Sequence, residues 1–224
     1  MSFQTHTQNQ LVWLTSSLLS QQRGLCHGFS TRQGGVSKPP FDTLNLGVGR
    51  GDDPEAVAEN YHRFCAAVGT TADWVVLSRQ VHETTVRVCT GADAGKGLWT
   101  PRDYTADALV TQDTDLPLVV FSADCGIILL YDPVQKAIGA VHAGWRGCAG
   151  GIVGKTVHTM EEAFGSRPTD LLVDIGPRIQ QCCFANDDDV PGAPVPAPPR
   201  EAGPTAGAAA RPRDGGYRAS TGAG

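Results

Sequence analysis

Four short apolar runs follow one another between Asp107 and Trp145: "DALVT", "LPLVVFSADC", "GIILLYDP" and "KAIGAVHAGW". They are bounded by Gly, Pro and Asp and are too short for stable helices, so they read as strands that must pair with one another. "WVVLSRQVHETTVRVC" upstream also turns to β character, with Val86 and Val88 alternating against polar neighbours, and "TDLLVDIGP" downstream reads as one more buried strand. Helical signals sit on the flanks. In "DDPEAVAENYHRFCAAVG" Asp53 is an N-cap, Pro54 suits the first helical position, and Val57, Tyr61, Phe64 and Val68 form an apolar stripe closed by Gly69. A second helix is expected after "GWRGCAGG", with Ile152, Thr156, Val157, Met160 and Phe164 on one face. Strand runs interrupted by two helices predict an α+β fold, a single domain of mixed sheets layered against helices, in preference to regular βαβ alternation.

Charge and cysteine usage narrow the function classes. A net charge of -5 and a pI near 5.6 leave no basic footprint for nucleic acid and favour a small-molecule partner. No segment has the roughly 18 consecutive apolar residues of a membrane span. "LVWLTSSLLS" lacks the preceding Lys or Arg of a signal sequence and reads as folded protein. Seven irregularly placed cysteines do not form a disulfide framework, which fits a reducing cytoplasm. From Val190 to Gly224 the character changes: 9 Ala, 7 Pro and 7 Gly among 35 residues, with Tyr217 the only large apolar side chain. Such a segment buries too little to offset its ordering entropy, so residues 1–189 are expected to form the domain and 190–224 a disordered tail.

Three soft or borderline metal ligands lie near strand ends: His82 in "RQVHET", Cys125 in "SADCG" and His142 in "AVHAGW". Two imidazoles and a thiolate suit Zn²⁺ and leave a fourth position open, as in catalytic sites. Their separations of 43 and 17 residues are not those of a zinc finger, so the fold must bring them together. A core His and an inert buried Cys are the plain alternative. Another is a metal-free pair, Cys125 as nucleophile and His142 as its base, with Arg146 as the electropositive neighbour. "RGCAGG" leads into the second helix, so Gly147, Gly150 and Gly151 amides beside Arg146 either cradle an anion or merely permit a tight turn. Arg32 and Asn45, in the long loop "STRQGGVSKPPFDTLNLG", are candidates for an anion or a sugar hydroxyl. Of the nearby carboxylates Asp124, Asp107 and Glu83, Asp124 is expected to brace the site from behind Cys125.

Taken together, "GFSTRQGGVS", "LNLG", "QVH", "ADAL", "SADC", "AVHAGWRG" and "IGPRI" resemble the YfiH/LACC1 family, also called the polyphenol oxidase or laccase-domain family, from about Leu25 to Phe184. The resemblance implies a zinc site at His82, Cys125 and His142, and phosphate-dependent cleavage of adenosine, inosine and methylthioadenosine together with adenosine deamination. Arg32, Asn45, Arg146 and Gly147 are then the substrate and phosphate residues, Trp145 a wall of the pocket or a core residue, and Glu83 or Asp124 the proton carrier. Copper-dependent phenol oxidation and editing of peptidoglycan precursors are alternatives attached to the family, and a non-catalytic, metal-stabilised binding domain is a third. A fourth ligand, with Cys148 the nearest spare thiol, would make the metal structural. Family members usually continue past "GP.I" with a Tyr-Glu-Val stretch and further strands and helix. The sequence after Asp189 departs from that pattern, so a truncated or frameshifted C-terminus is expected.

Overall fold

The computed structural model describes residues 2–180 and 182–184; the segment from Val190, expected to be a disordered tail, lies outside them. Among the described residues ten strands form three sheets, accompanied by three α-helices. Strands β1 (Phe3–Gln8) and β2 (Leu11–Ser16) make a hairpin whose turn residues Asn9 and Gln10 both have positive φ, as a two-residue turn between twisted strands requires. The stretch "LVWLTS" is therefore β2, and β3 (Phe29–Ser30) completes this sheet.

A long irregular segment follows β3 and is hooked to the first helix, α1 (Pro54–Val68). Asp53 caps α1 through the Glu55 amide, and Gly69 ends it at φ 88°. Fully buried Asn60 donates to Ser37 Oγ and to the carbonyls of Thr43 and Asn45, and accepts from the Val36 amide. One amide side chain thus satisfies four groups of the loop.

The central sheet runs β10-β8-β9-β6-β5, built from β5 (Val86–Val88), β6 (Ala108–Thr111), β8 (Gly126–Asp132), β9 (Ala137–Ala143) and β10 (Leu172–Ile175). Only β5 and β6 pair in parallel. On one face Val110, Ile128, Leu130 and Val141 pack against Ile152 and Met160 of α3 (Ile152–Phe164). On the other, Leu109 joins Val76, Cys89, Ala106 and Leu116. The α+β reading holds.

Two expected strands are shorter than their apolar runs. "WVVLSRQVHETTVRVC" yields only β4 (Val76–Leu77) and β5, with a turn at His82 between them. "LPLVVFSADC" yields only β7 (Leu118–Val119), which pairs in parallel with β4. Beyond those pairs a side chain replaces the ladder: Gln80 accepts from the Phe121 amide (2.7 Å) and donates to the Phe121 carbonyl (2.8 Å). The second helix also begins early, as α2 (Trp145–Ala149), and resumes as α3 after Gly150 and Gly151.

Register brings distant residues to one end of the central sheet. Asp132 accepts from the Val134 and Gln135 amides and so closes the β8–β9 hairpin, which pairs Gly126 with Ala143. Cys125, just before β8, therefore meets Gly144, just after β9. Ala108 opposite Val141 and Val86 beside Ala108 place Asp107 next to His142 and bring the chain before β5 alongside.

Asp93 anchors a turn near the parallel edge. Its buried carboxylate accepts from the Thr90 amide, Arg87 and Lys96, at 2.7–3.0 Å. Burial opposes its charge, but these donors outweigh burial and hold its pKa at about 2. Because the folded-state pKa is depressed, the stabilisation is complete above the ordinary value near 3.8 and is lost as pH falls through about 2. Asp93→Asn should lower stability by about 2 kcal/mol at neutral pH, and the deficit should shrink between pH 4 and 2. Denaturant melts of both proteins across that range check the prediction.

Candidate metal centre

Asp107 has no solvent exposure and accepts four hydrogen bonds. The amides of Val81, His82 and Glu83 reach it at 3.0–3.2 Å, and His142 Nδ1 lies 2.8 Å from Oδ1. Burial disfavours its charge, but the His142 contact and the three amides more than compensate, and the carboxyl stays below its ordinary pKa. An ionised Asp107 can only accept, so Nδ1 of His142 carries the proton and Nε2 is the ring nitrogen left to face a metal. His142 is itself 3% exposed.

The same carboxylate shapes the His82 turn. Three successive amides pointing at one anion form a concavity that a regular strand cannot make, and His82 sits in it at φ 61°. A non-glycine residue in the left-handed region is strained by roughly 1 kcal/mol, which the Asp107 contacts offset. The His82 side chain is exposed and its ring stands edge-on to that of His142, centroids 4.7 Å apart.

Cys125, half-buried in the bend before β8, completes the group. The candidate ligand atoms of His82, Cys125 and His142 all lie within 4.8 Å of one another. Gly144 closes the space behind them: a Cβ there would stand 3.0 Å from His82 Cδ2 and 3.2 Å from Cys125 Sγ. Two nitrogens and a sulfur at this spacing, with one imidazole fixed by a carboxylate, fit a zinc ion. Cys148 does not join them. It is turned to the Ala143 carbonyl, Sγ to O 3.5 Å. Burial pushes the Cys125 thiol above its ordinary pKa, and negative charge on Asp124, Cys148 and Asp107 adds to the shift. A free thiolate is thus disfavoured without a metal, which weakens the cysteine-nucleophile alternative.

Several candidate residues are placed differently from expectation. The brace is Asp107; Asp124 is exposed, and its carbonyl, not its carboxylate, holds the Ile179 amide. Asp124 lies in a bend, so the opposite-face argument for a regular strand does not apply to it. Asn45 is committed to its own loop, donating to Asp52 and accepting from the Gly47 amide. Arg32 is exposed and pairs with Asp42. Among the described residues neither contacts the three candidate ligands. The glycine cradle also changes meaning, because the Gly150 and Gly151 amides donate to the Arg146 and Cys148 carbonyls. What the glycines permit is close packing on the His82 turn: a Cβ on Gly147 would lie 3.2 Å from Glu83 O, and one on Gly150 2.5 Å from Thr84 Cγ2. Arg146 stacks over Trp145, 4.3 Å from the ring centroid. Glu83 is exposed beside His82.

A separate apolar cavity of about 360 Å³ lies between α1 and the central sheet, lined by Tyr61, Phe64, Val119, Ile127 and Leu129 among others. None of the three candidate ligands lines it.

The sequence matches the family model described as multi-copper polyphenol oxidoreductase laccase over residues 26–215, a span that runs past the compositional change at Asp189. The chain belongs to this family. A purine nucleoside phosphorylase of Corynebacterium glutamicum is 43% identical over 161 residues, 71% of this chain and 63% of that protein. The purine nucleoside phosphorylase YlmD of Geobacillus stearothermophilus is 35% identical over 80% of this chain and 66% of its own length. The chain thus spans about two-thirds of these relatives. Among solved structures, the hypothetical protein YfiH of Bacillus licheniformis superposes with a TM-score of 0.77 at 31% identity, covering 87% of this chain and 72% of that one. YlmD superposes with a TM-score of 0.74.

Within this laccase-family fold Asp107 is the residue that sequence reasoning undervalued. Its signal was present: it opens the run "DALVT", one residue before a strand whose neighbour carries His142. Asp107→Asn should weaken zinc binding about 10- to 100-fold, by analogy with other carboxylates that hold a metal-bound histidine. Gly144→Ala should also weaken zinc binding while leaving the melting temperature within a few degrees, since φ at 144 is an ordinary -67°. Competition titrations with a zinc chelator, paired with thermal melts, measure both.

Proposed function

We propose that the chain carries a zinc-dependent purine nucleoside phosphorylase site, acting on adenosine, inosine and methylthioadenosine, with adenosine deamination at the same centre. The observation that carries this reading is the convergence of His82, Cys125 and His142 around Gly144, their ligand atoms within 4.8 Å. The names of the relatives supply the reaction class.

Phosphorolysis joins a phosphate oxygen to ribose C1′ while the bond from C1′ to the base breaks. The bonding electrons leave with the base, which takes up a proton. His82, Cys125 and His142 would hold the zinc ion, and Asp107 keeps His142 in the tautomer that presents Nε2. When bound, zinc supplies Lewis acidity toward a substrate oxygen and lowers the pKa of water for the deamination, in which water replaces the exocyclic amine and ammonia leaves. Arg146 offers a planar guanidinium to the phosphate, and Trp145 beside it offers a face to base or sugar. Glu83 and Asp124, each next to a ligand and exposed, are the two carboxylates placed to carry a proton.

The allocation of histidines favours zinc over a multi-copper centre. The chain has six, and four serve elsewhere: His6 stacks on Trp13, His27 accepts from the Ser16 amide, His62 lies against Trp99, and His158 faces Glu161 and Glu162. Two imidazoles remain, fewer than a copper cluster requires.

Incubating the zinc-loaded chain with inosine, with and without phosphate, tests the proposal. Release of hypoxanthine should depend on phosphate and yield ribose 1-phosphate in equal amount. Cys125→Ala should lower it on the order of 10³-fold by removing a metal ligand. Base release that ignores phosphate, or activity that survives exhaustive chelation, would overturn the assignment.

A further inference from the structure

Pro177 and Arg178 lie across from Cys125 and Gly126. Two backbone hydrogen bonds impose this: the Gly176 amide donates to Ile127 O (2.8 Å) and the Ile179 amide to Asp124 O (3.0 Å), bracketing the Cys125 position from both sides. The Arg178 stem runs over Gly126, where a Cβ would sit 3.6 Å from Arg178 Cδ. Its charge also reaches Cys148: burial raises that thiol's pKa, and Arg178 opposes the rise. Cys148 in turn is felt electrostatically by Cys125. Because β10 is the neighbour of β8 on the side away from β9, Arg178 reaches the Cys125 bend from the β10 side.

Arg178 is exposed and makes no side-chain hydrogen bond or ion pair among the described residues. Exposed Asp124 follows the same bend and does not approach it within ion-pair distance. Most exposed arginines only meet solvent. This one is held by its backbone at the rim of a candidate metal centre, with its fork unused. A guanidinium fork matches a tetrahedral oxyanion with two parallel N–H bonds.

We infer that Arg178 is an anion-holding residue of the site, and that its ligand is inorganic phosphate. The choice of phosphate as reactant rests on the proposed phosphorolysis; the binding itself does not. Arg178 then positions the attacking dianion from the β10 side.

Calorimetric titration of inorganic phosphate into the zinc-loaded chain, its Arg178→Gln and Arg178→Lys variants, and the parent without zinc provides the test. Zinc content and melting temperature are measured alongside. The expected result is a Kd weakened about tenfold in Arg178→Gln and by a smaller factor in Arg178→Lys, with zinc content unchanged. In turnover assays the KM for phosphate should rise in parallel while kcat at saturating phosphate stays within about twofold. A parent that binds no phosphate, variants that bind it equally, or a Gln variant that loses its zinc would each overturn the inference. If phosphorolysis occurs and Arg178→Gln leaves the phosphate KM unchanged, the enzyme reading stands and this inference fails. If Arg178 governs phosphate binding but no nucleoside is cleaved, the inference stands and the enzyme reading fails.

Discussion

The buried carboxylate of Asp107 holds the candidate site together. An uncompensated charge in that position would be strongly unfavourable, so the chain around it is arranged to supply donors. The donors come from two places far apart in sequence: three consecutive amides at 81–83 and the imidazole of His142. Satisfying one anion therefore fixes three things at once: the left-handed turn at His82, the tautomer of His142, and the distance between the two imidazoles. The β character expected through "WVVLSRQVHETTVRVC" is interrupted here because the amides that would join a ladder are taken by Asp107 instead.

The rest of the site follows from sheet register. A hairpin closed by Asp132 puts the residue before β8 beside the residue after β9, so Cys125 meets Gly144 without any local sequence signal. Three glycines then let backbone come closer than side chains would allow. Gly144 leaves room for the three ligand side chains, while Gly147 and Gly150 bring α2 onto the turn that carries His82. The stretch "HAGWRGCAGG" thus acts mainly by what it omits. Its glycines set approach distances, and the Gly150 and Gly151 amides are used at the end of α2.

Much of the architecture was legible because it rests on local chemistry. Asp53, Pro54 and Gly69 mark both ends of α1, and alternation in "GIILLYDP" and "KAIGAVHAGW" marks β8 and β9. The ligand residues His82, Cys125 and His142 could be named from residue type and position near strand ends, and the structure brings all three together. Less legible were features decided between segments. Gln80 substitutes for a strand partner of Phe121, which shortens β7, and Asn45 spends both polar atoms on its own loop. The choice between Asp107 and Asp124 as brace also depended on register. Both precede a strand that pairs with β9, but the β6–β9 register sets Asp107 beside His142, while Asp124 lies in the exposed bend before β8.

Whether the metal centre is open or closed turns on the fourth direction around the ligands. A structural zinc site fills it with protein, and Cys148 is the thiol nearest in sequence to do so. Its Sγ instead faces the Ala143 carbonyl, because α2 carries residue 148 away from the sheet end as soon as Gly144 starts the helix. His142 and Asp107 form a buried wall on one side, while His82, Glu83 and Asp124 remain exposed on the other. A centre rigid behind and accessible in front would suit a metal ion with one coordination position left open. The hydrogen bonds from Gly176 and Ile179 set the stem of Arg178 over Gly126, so a cationic side chain that is itself exposed stands next to this open side.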